Sequence, residues 1–255
     1  MPMWWKRALF WSLMPLAAPQ GLLARRRAPR FPAAAGPAEG RVGAGPGLRL
    51  LAIGDSIIEG VGCRTLEEAF AGQFARHLAR ATGCAVHWRA LGRTGACAAG
   101  IREGLLPKVA PGSFELAVVS VGVNDVSSLK RSARFRADLA ALLDGLVERA
   151  APGGLVVLCG LPRMETFPLL PQPLRFLAGL RAETFDAIGA ALARARAGVH
   201  HEPTAYVPAP HEFAPDGYHP NAATQGLWAG RLVERLMAQG RLAPPPRACE
   251  GAVAE

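Results

Sequence analysis

Residues 48–53 (LRLLAI) form a short, mostly apolar run that breaks into glycines at Gly54, Gly60 and Gly62. An apolar run of this length predicts a strand covered on both faces and feeding a tight turn. The pattern recurs: residues 85–91, 116–121 and 155–159 read as three more strands, and residues 200–203 as a short fifth. Between them, apolar positions fall at helical spacing. Leu66, Phe70, Phe74, Leu78 and Ala81 mark one helix, closed by Gly83. Phe135, Leu139, Leu142, Leu146 and Ala150 mark a second, closed by Pro152 and Gly153, and Leu177, Leu180, Phe185, Ile188 and Leu192 a third. Thr65 and Glu68 stand at the spacing of a capping box before the first of these. The last helix is expected over residues 221–240.

Alternating strands and helices imply a mostly parallel sheet with helices on both faces and right-handed crossovers. The expected fold is therefore α/β, a three-layer α/β/α flavodoxin-like arrangement around a mostly parallel five-stranded sheet, occupying residues 48–240. In such a sheet the loops after the first three strands gather at the carboxyl edge, where open α/β folds place their sites.

Composition separates this domain from its ends. The chain has 255 residues and a net charge of +9, of which +7 lies in residues 1–49. Clustered basicity is thus confined to the leader, which argues against a nucleic-acid partner for the domain. The five cysteines, Cys63, Cys84, Cys97, Cys159 and Cys249, show no paired spacing, so neither a disulfide framework nor a zinc site is indicated. His200-His201 lacks an evident third ligand, and no metal or organic cofactor is implied.

Residues 1–47 read as a basic, apolar leader followed by a Pro/Gly/Ala-rich linker, and residues 241–255 as a disordered tail. The apolar run 8–24 admits three readings: a signal peptide, a short membrane anchor, or an arm packed on the domain. No clean small-x-small site follows it, and Pro15 and Pro19 interrupt a run barely long enough to span a bilayer. Trp4, Trp5 and Trp11 flanked by arginines make residues 4–27 a candidate for membrane-surface association. The chain is accordingly expected in the cytoplasm or at a membrane, ahead of secretion.

Four blocks carry candidate chemistry: Gly54-Asp55-Ser56 after the first strand, GRTG (92–95) after the second, GVND (122–125) after the third, and Asp216-Gly217-Tyr218-His219-Pro220 before the last helix. In this order and on these loops they resemble the SGNH/GDSL hydrolase family, over roughly residues 48–240. The chemistry also stands on the residues themselves. A serine hydroxyl is a weak nucleophile and needs a base in hydrogen-bond reach. His219 is the candidate base for Ser56, with Asp216 orienting it and stabilising its imidazolium. By the resemblance, the oxyanion donors are the backbone amides of Ser56 and Gly95 and the side-chain amide of Asn124. Gly92 competes with Gly95, and family spacing favours Gly95. Ala90, Arg93 and Cys97 depart from the residues common in the family, which bears on loop packing and substrate preference.

The resemblance implies a serine hydrolase cleaving carboxylic esters through an acyl-enzyme on Ser56, with a small-molecule or lipid ester as substrate. The apolar loop 160–177 supports short- to medium-chain acyl groups. Arg163, Met164, Phe167 and Leu170 there form either an acyl-binding wall or a cover for the core. The alternatives are an O-deacetylase of sugars or cell-wall polymers, and a catalytically idle membrane-tethered binding module.

Overall fold

The computed structural model describes residues 4–27, 31–204 and 206–242. Its sheet contains β1 (Glu39–Val42), β2 (Gly47–Gly54), β3 (Ala85–Gly92), β4 (Phe114–Ser120), β5 (Ala150–Cys159) and β6 (Val199–Glu202), in the order β1-β3-β2-β4-β5-β6. The last five are parallel as expected, and β1 adds a sixth, antiparallel edge strand on β3. It lies within the stretch expected as a linker.

The apolar strands are covered on both faces. Leu50 and Ala52 of β2 pack beneath α2 (Phe70–Thr82) and α7 (Ala222–Ala238). Their neighbours Leu51 and Ile53 face α3 (Ala98–Gly104), α5 (Ser132–Val147) and α6 (Leu174–Arg194). Successive side chains of a strand point to opposite faces, so one continuous apolar run supplies both cores. A five-residue helix, α4 (Val123–Ser127), follows β4 directly. The leader forms α1 (Trp4–Arg27), laid on α6 through Phe10, Ala17 and Leu177. Gln20 of α1 donates to the Gln172 carbonyl at 2.8 Å and accepts from the Leu174 amide at 3.3 Å. Residues 243–255, most of the expected tail, lie outside the described residues.

Two local expectations are corrected. The Thr65 hydroxyl does accept from the Glu68 amide at 3.3 Å, but the Glu68 carboxylate turns away to Arg64 at 2.8 Å. The helix starts later, at Phe70, whose amide donates to the buried side chain of Gln225 at 3.0 Å. A long-range amide thus takes the place of the local cap. Pro152 and Gly153 do not close α5; they lie inside β5, at a register shift where Leu116 pairs with Leu155 after Phe114 pairs with Ala150. A bulge is one of the few places a strand tolerates proline.

Gln225 also donates to the carbonyls of Val61 at 2.9 Å and Pro220 at 3.1 Å. Replacing it with leucine keeps the volume but strips partners from one amide and two carbonyls. Gln225→Leu is expected to lower the unfolding free energy by about 2–4 kcal/mol, read from urea denaturation. A loss under about 1 kcal/mol would show these groups finding other partners.

Candidate active site

The end of β2 is pinned to its neighbour before the chain turns. A Cβ on Gly54 would stand 2.2 Å from the Ser120 carbonyl, so only glycine lets the strands approach this closely. The Asp55 amide then donates to that carbonyl at 3.2 Å, and Asp55 Oδ1 accepts from the Ile57 amide at 3.2 Å and the Ser120 hydroxyl at 3.0 Å. These bonds fix the turn that presents Ser56. Burial pushes the Asp55 carboxyl up to about 6, against the opposing pull of its hydrogen bonds from Ile57 and Ser120.

Ser56 Oγ lies 2.9 Å from His219 Nε2, and His219 Nδ1 lies 2.6 Å from Asp216 Oδ2. The other oxygen of Asp216 accepts from the amides of Tyr218 and His219, each at 2.9 Å. Burial alone would raise the Asp216 carboxyl, but the His219 ring and the two amides outweigh it and hold it below the usual carboxylate range. A carboxylate kept ionised on Nδ1 orients the ring and sets the tautomer that leaves Nε2 able to take the serine proton.

The loops after β2, β3 and β4 are stitched together around this line. Arg93 donates its amide to the Gly54 carbonyl at 3.1 Å, and Asn124 Nδ2 donates to the Ala96 carbonyl at 3.0 Å. That bond fixes the plane of the Asn124 amide, which has a second N–H to offer. Gly95 sits at φ +76°, a left-handed conformation natural to glycine, with no atom within 4 Å of where a Cβ would be. Asn124 stands in the first turn of the short α4, which follows Gly122 at φ +117°. The structure therefore brings Ser56, His219 and Asp216 into one hydrogen-bonded line and ties the Gly95 loop to Asn124.

An apolar cavity opens beside Ser56 and His219. Its walls include Val123, Leu161, Pro162, Phe167, Phe213 and Tyr218, and Cys159 and Trp228 also line it. Of the four residues expected on an acyl wall, Phe167 lines this cavity. Met164 and Leu170 turn instead into the core between the sheet and α6, and Arg163 stays at the surface, 2.7 Å from Glu165. Tyr218 packs edge-on against Phe167 at 5.1 Å, and its hydroxyl pairs with Ser127 at 2.9 Å. Burial pushes the Tyr218 phenol up to about 12. The Cys159 thiol is likewise raised to about 12 by burial and then by the nearby Asp55 and Glu202 carboxylates.

Sequence reasoning missed Leu161, Phe213 and Tyr218 as lining residues. Tyr218 had a signal, since it lies inside the Asp216–Pro220 block. It also gave no role to Asp125, buried beside Asn124, which accepts from the Ala98 amide at 3.0 Å and pairs with Lys130 at 3.2 Å. His200 and His201 pair with Glu202 at 2.9 Å and Asp186 at 2.8 Å.

A hydrogen-bonded serine, histidine and aspartate at the carboxyl edge of a three-layer α/β/α sheet is the arrangement of the SGNH class of ester hydrolases. The chain belongs to the GDSL-like lipase/acylhydrolase family, which it matches over residues 52–227. It is 30% identical over 198 residues to a GDSL-like esterase of Mycobacterium tuberculosis, an alignment covering 74% of this chain and 62% of that protein. The chain thus spans less than two thirds of that relative. The psychrotrophic esterase EstA from Pseudoalteromonas sp. superposes with a TM-score of 0.59 at 13% identity, over 76% of this chain and 99% of that one. A family 3 carbohydrate esterase of Clostridium thermocellum gives 0.60 at 15% identity, over 76% and 98%. At these identities the likeness is one of fold.

The raised Asp55 carboxyl makes a pH prediction. An acid whose folded pKa exceeds its unfolded value binds its proton more tightly when folded, so stability grows as pH falls through 6 and levels off near the ordinary carboxylate range. Between pH 7 and pH 5 this group should add about 1 kcal/mol to stability. Asp55→Asn, which keeps an acceptor for Ile57 and Ser120, should lack that increment when denaturation midpoints are compared across pH. Identical pH profiles would show that Asp55 is not titrating there.

Proposed function

We propose that this protein hydrolyses carboxylic esters by forming an acyl-enzyme on Ser56, and that it favours short- to medium-chain apolar acyl groups. The observation that carries this reading is the line from Asp216 through His219 to Ser56, ending at the apolar cavity. His219 Nε2 takes the proton of Ser56 as Oγ attacks the ester carbonyl. The oxyanion that forms is received by the amides of Ser56 and Gly95 and by Asn124 Nδ2. The imidazolium then returns the proton to the departing alcohol. A water molecule, deprotonated by His219, attacks the acyl-enzyme; the bond from the acyl carbon to Ser56 Oγ breaks, Oγ takes the proton back from His219, and the acid leaves. Asp216, ionised throughout, stabilises the imidazolium in both halves.

Ser56 and His219 should behave as one unit. Ser56→Ala and His219→Ala are each expected to lower kcat by roughly a thousandfold or more, with the double variant little worse than either. Losses that multiply in the double variant would refute shared action. A phosphonate ester probe should label the wild type and not Ser56→Ala; an unlabelled wild type would favour the idle binding module.

The cavity predicts the acyl preference. Each methylene buried against Leu161 and Phe167 contributes roughly 0.8 kcal/mol, about fourfold, where that binding carries into the transition state. Across aryl esters, kcat/KM should climb from acetyl toward hexanoyl, and Leu161→Ala or Phe167→Ala should flatten the climb while sparing acetyl hydrolysis. A profile that peaks at acetyl and falls with length would sink this preference and put O-deacetylation first.

A further inference from the structure

The side of α1 that faces away from α6 is built from the wrong residues for a solvated helix. Phe10, Ala17 and Ala24 are buried along one stripe. Residues of a helix advance by about 100° each, so Trp11, Leu16, Leu22 and Leu23 fall on the opposite arc. They are 57%, 66%, 66% and 46% exposed, and Pro15 and Pro19 are exposed among them. Nearby, Leu129 is held at φ +55°, a conformation a leucine adopts at a cost, with 41% of its surface exposed. Leu129 and Trp11 line one cavity together with Arg131 and Arg181.

The charges specify what covers this face. Trp4–Arg27 contains no acidic residue, and its cations, Lys6, Arg7, Arg25, Arg26 and Arg27, stand at the two ends of an apolar middle. A second copy of the chain would bring the same cations to the same ends, against like-charge repulsion. The occupant must be apolar along its length and negative at its rim. Among the described residues no helix is long and apolar enough to cross a membrane, so the helix would lie along a surface rather than pass through it.

We propose that the outward face of α1 docks the protein on an anionic phospholipid bilayer. Trp11, Leu16, Leu22 and Leu23 enter the acyl boundary, and the basic sequence at both ends supplies the attraction to an anionic surface. Gln20 is bonded to Gln172 and Leu174, at the far end of the loop whose first residues, Leu161 and Pro162, line the cavity beside Ser56. The docked helix is thus bonded to the far end of the loop that begins at the pocket wall. The proposal does not depend on the ester chemistry.

Flotation of the full chain with vesicles tests it. Vesicles of equal parts phosphatidylglycerol and phosphatidylcholine should carry the protein, phosphatidylcholine alone should carry far less, and salt should weaken the binding. The variant Trp11→Glu/Leu22→Glu should bind roughly tenfold more weakly or worse, with an unchanged thermal midpoint. Should that variant unfold, Leu16→Glu/Leu23→Glu removes the other edge of the face. Arg26→Gln should cost roughly fivefold at low salt. The proposal is overturned by equal binding to both vesicles, by no binding to either, or by folded variants that bind as well as the wild type. It is also overturned if the wild type is a dimer by ultracentrifugation, does not float, and is made monomeric by the variants.

Discussion

One buried carboxamide holds the two halves of the site together. Ser56 and His219 are separated by 163 positions, yet their side chains meet at 2.9 Å. Gln225 donates to Val61, at the end of the turn that carries Ser56, and to Pro220, next to His219, while accepting from the first amide of α2. A buried amide is expensive unless its donors and acceptor are met, and these three partners meet them together. Displacing either loop leaves polar atoms without partners. The spacing of Ser56 and His219 is therefore protected by the same energy that stabilises the fold.

Around that joint, two carboxyls close in space are driven in opposite directions. Asp216 is buried but surrounded by donors, so its charge is retained beside the His219 ring. Asp55 is more deeply enclosed and its two hydrogen bonds only partly offset the loss of water. Environment, rather than residue type, sets the two carboxyls apart: one keeps its charge beside His219, the other holds a turn.

The central sheet is legible in the sequence because β2, β4 and the inner part of β5 are covered on both sides and must be apolar throughout. The four blocks are legible because each sits on a loop at the carboxyl edge of that sheet. β1 is not, since Glu39, Gly40 and Arg41 form an exposed edge with no apolar run to betray it. The start of α2 is misread because its effective cap, Gln225, lies 155 residues away, whereas Thr65 and Glu68 offer only a local pattern. The pocket wall fails for a different reason. Met164, Phe167 and Leu170 are equally apolar in sequence, and only the path of the loop decides that Phe167 meets the cavity while the others enter the core. Leu161 and Phe213 come from separate loops, so no spacing could pair them.

Cys159 gives the site a chemical immunity. A thiol lines the same cavity as the serine hydroxyl, and in most settings sulfur would win any competition for an electrophile. Here burial and the nearby Asp55 and Glu202 carboxylates push its pKa up to about 12, which keeps the thiol protonated at neutral pH. The sulfur is thus silent toward peroxides and soft alkylating agents, which attack thiolates. The pocket thus has a polarisable wall that contributes no thiolate.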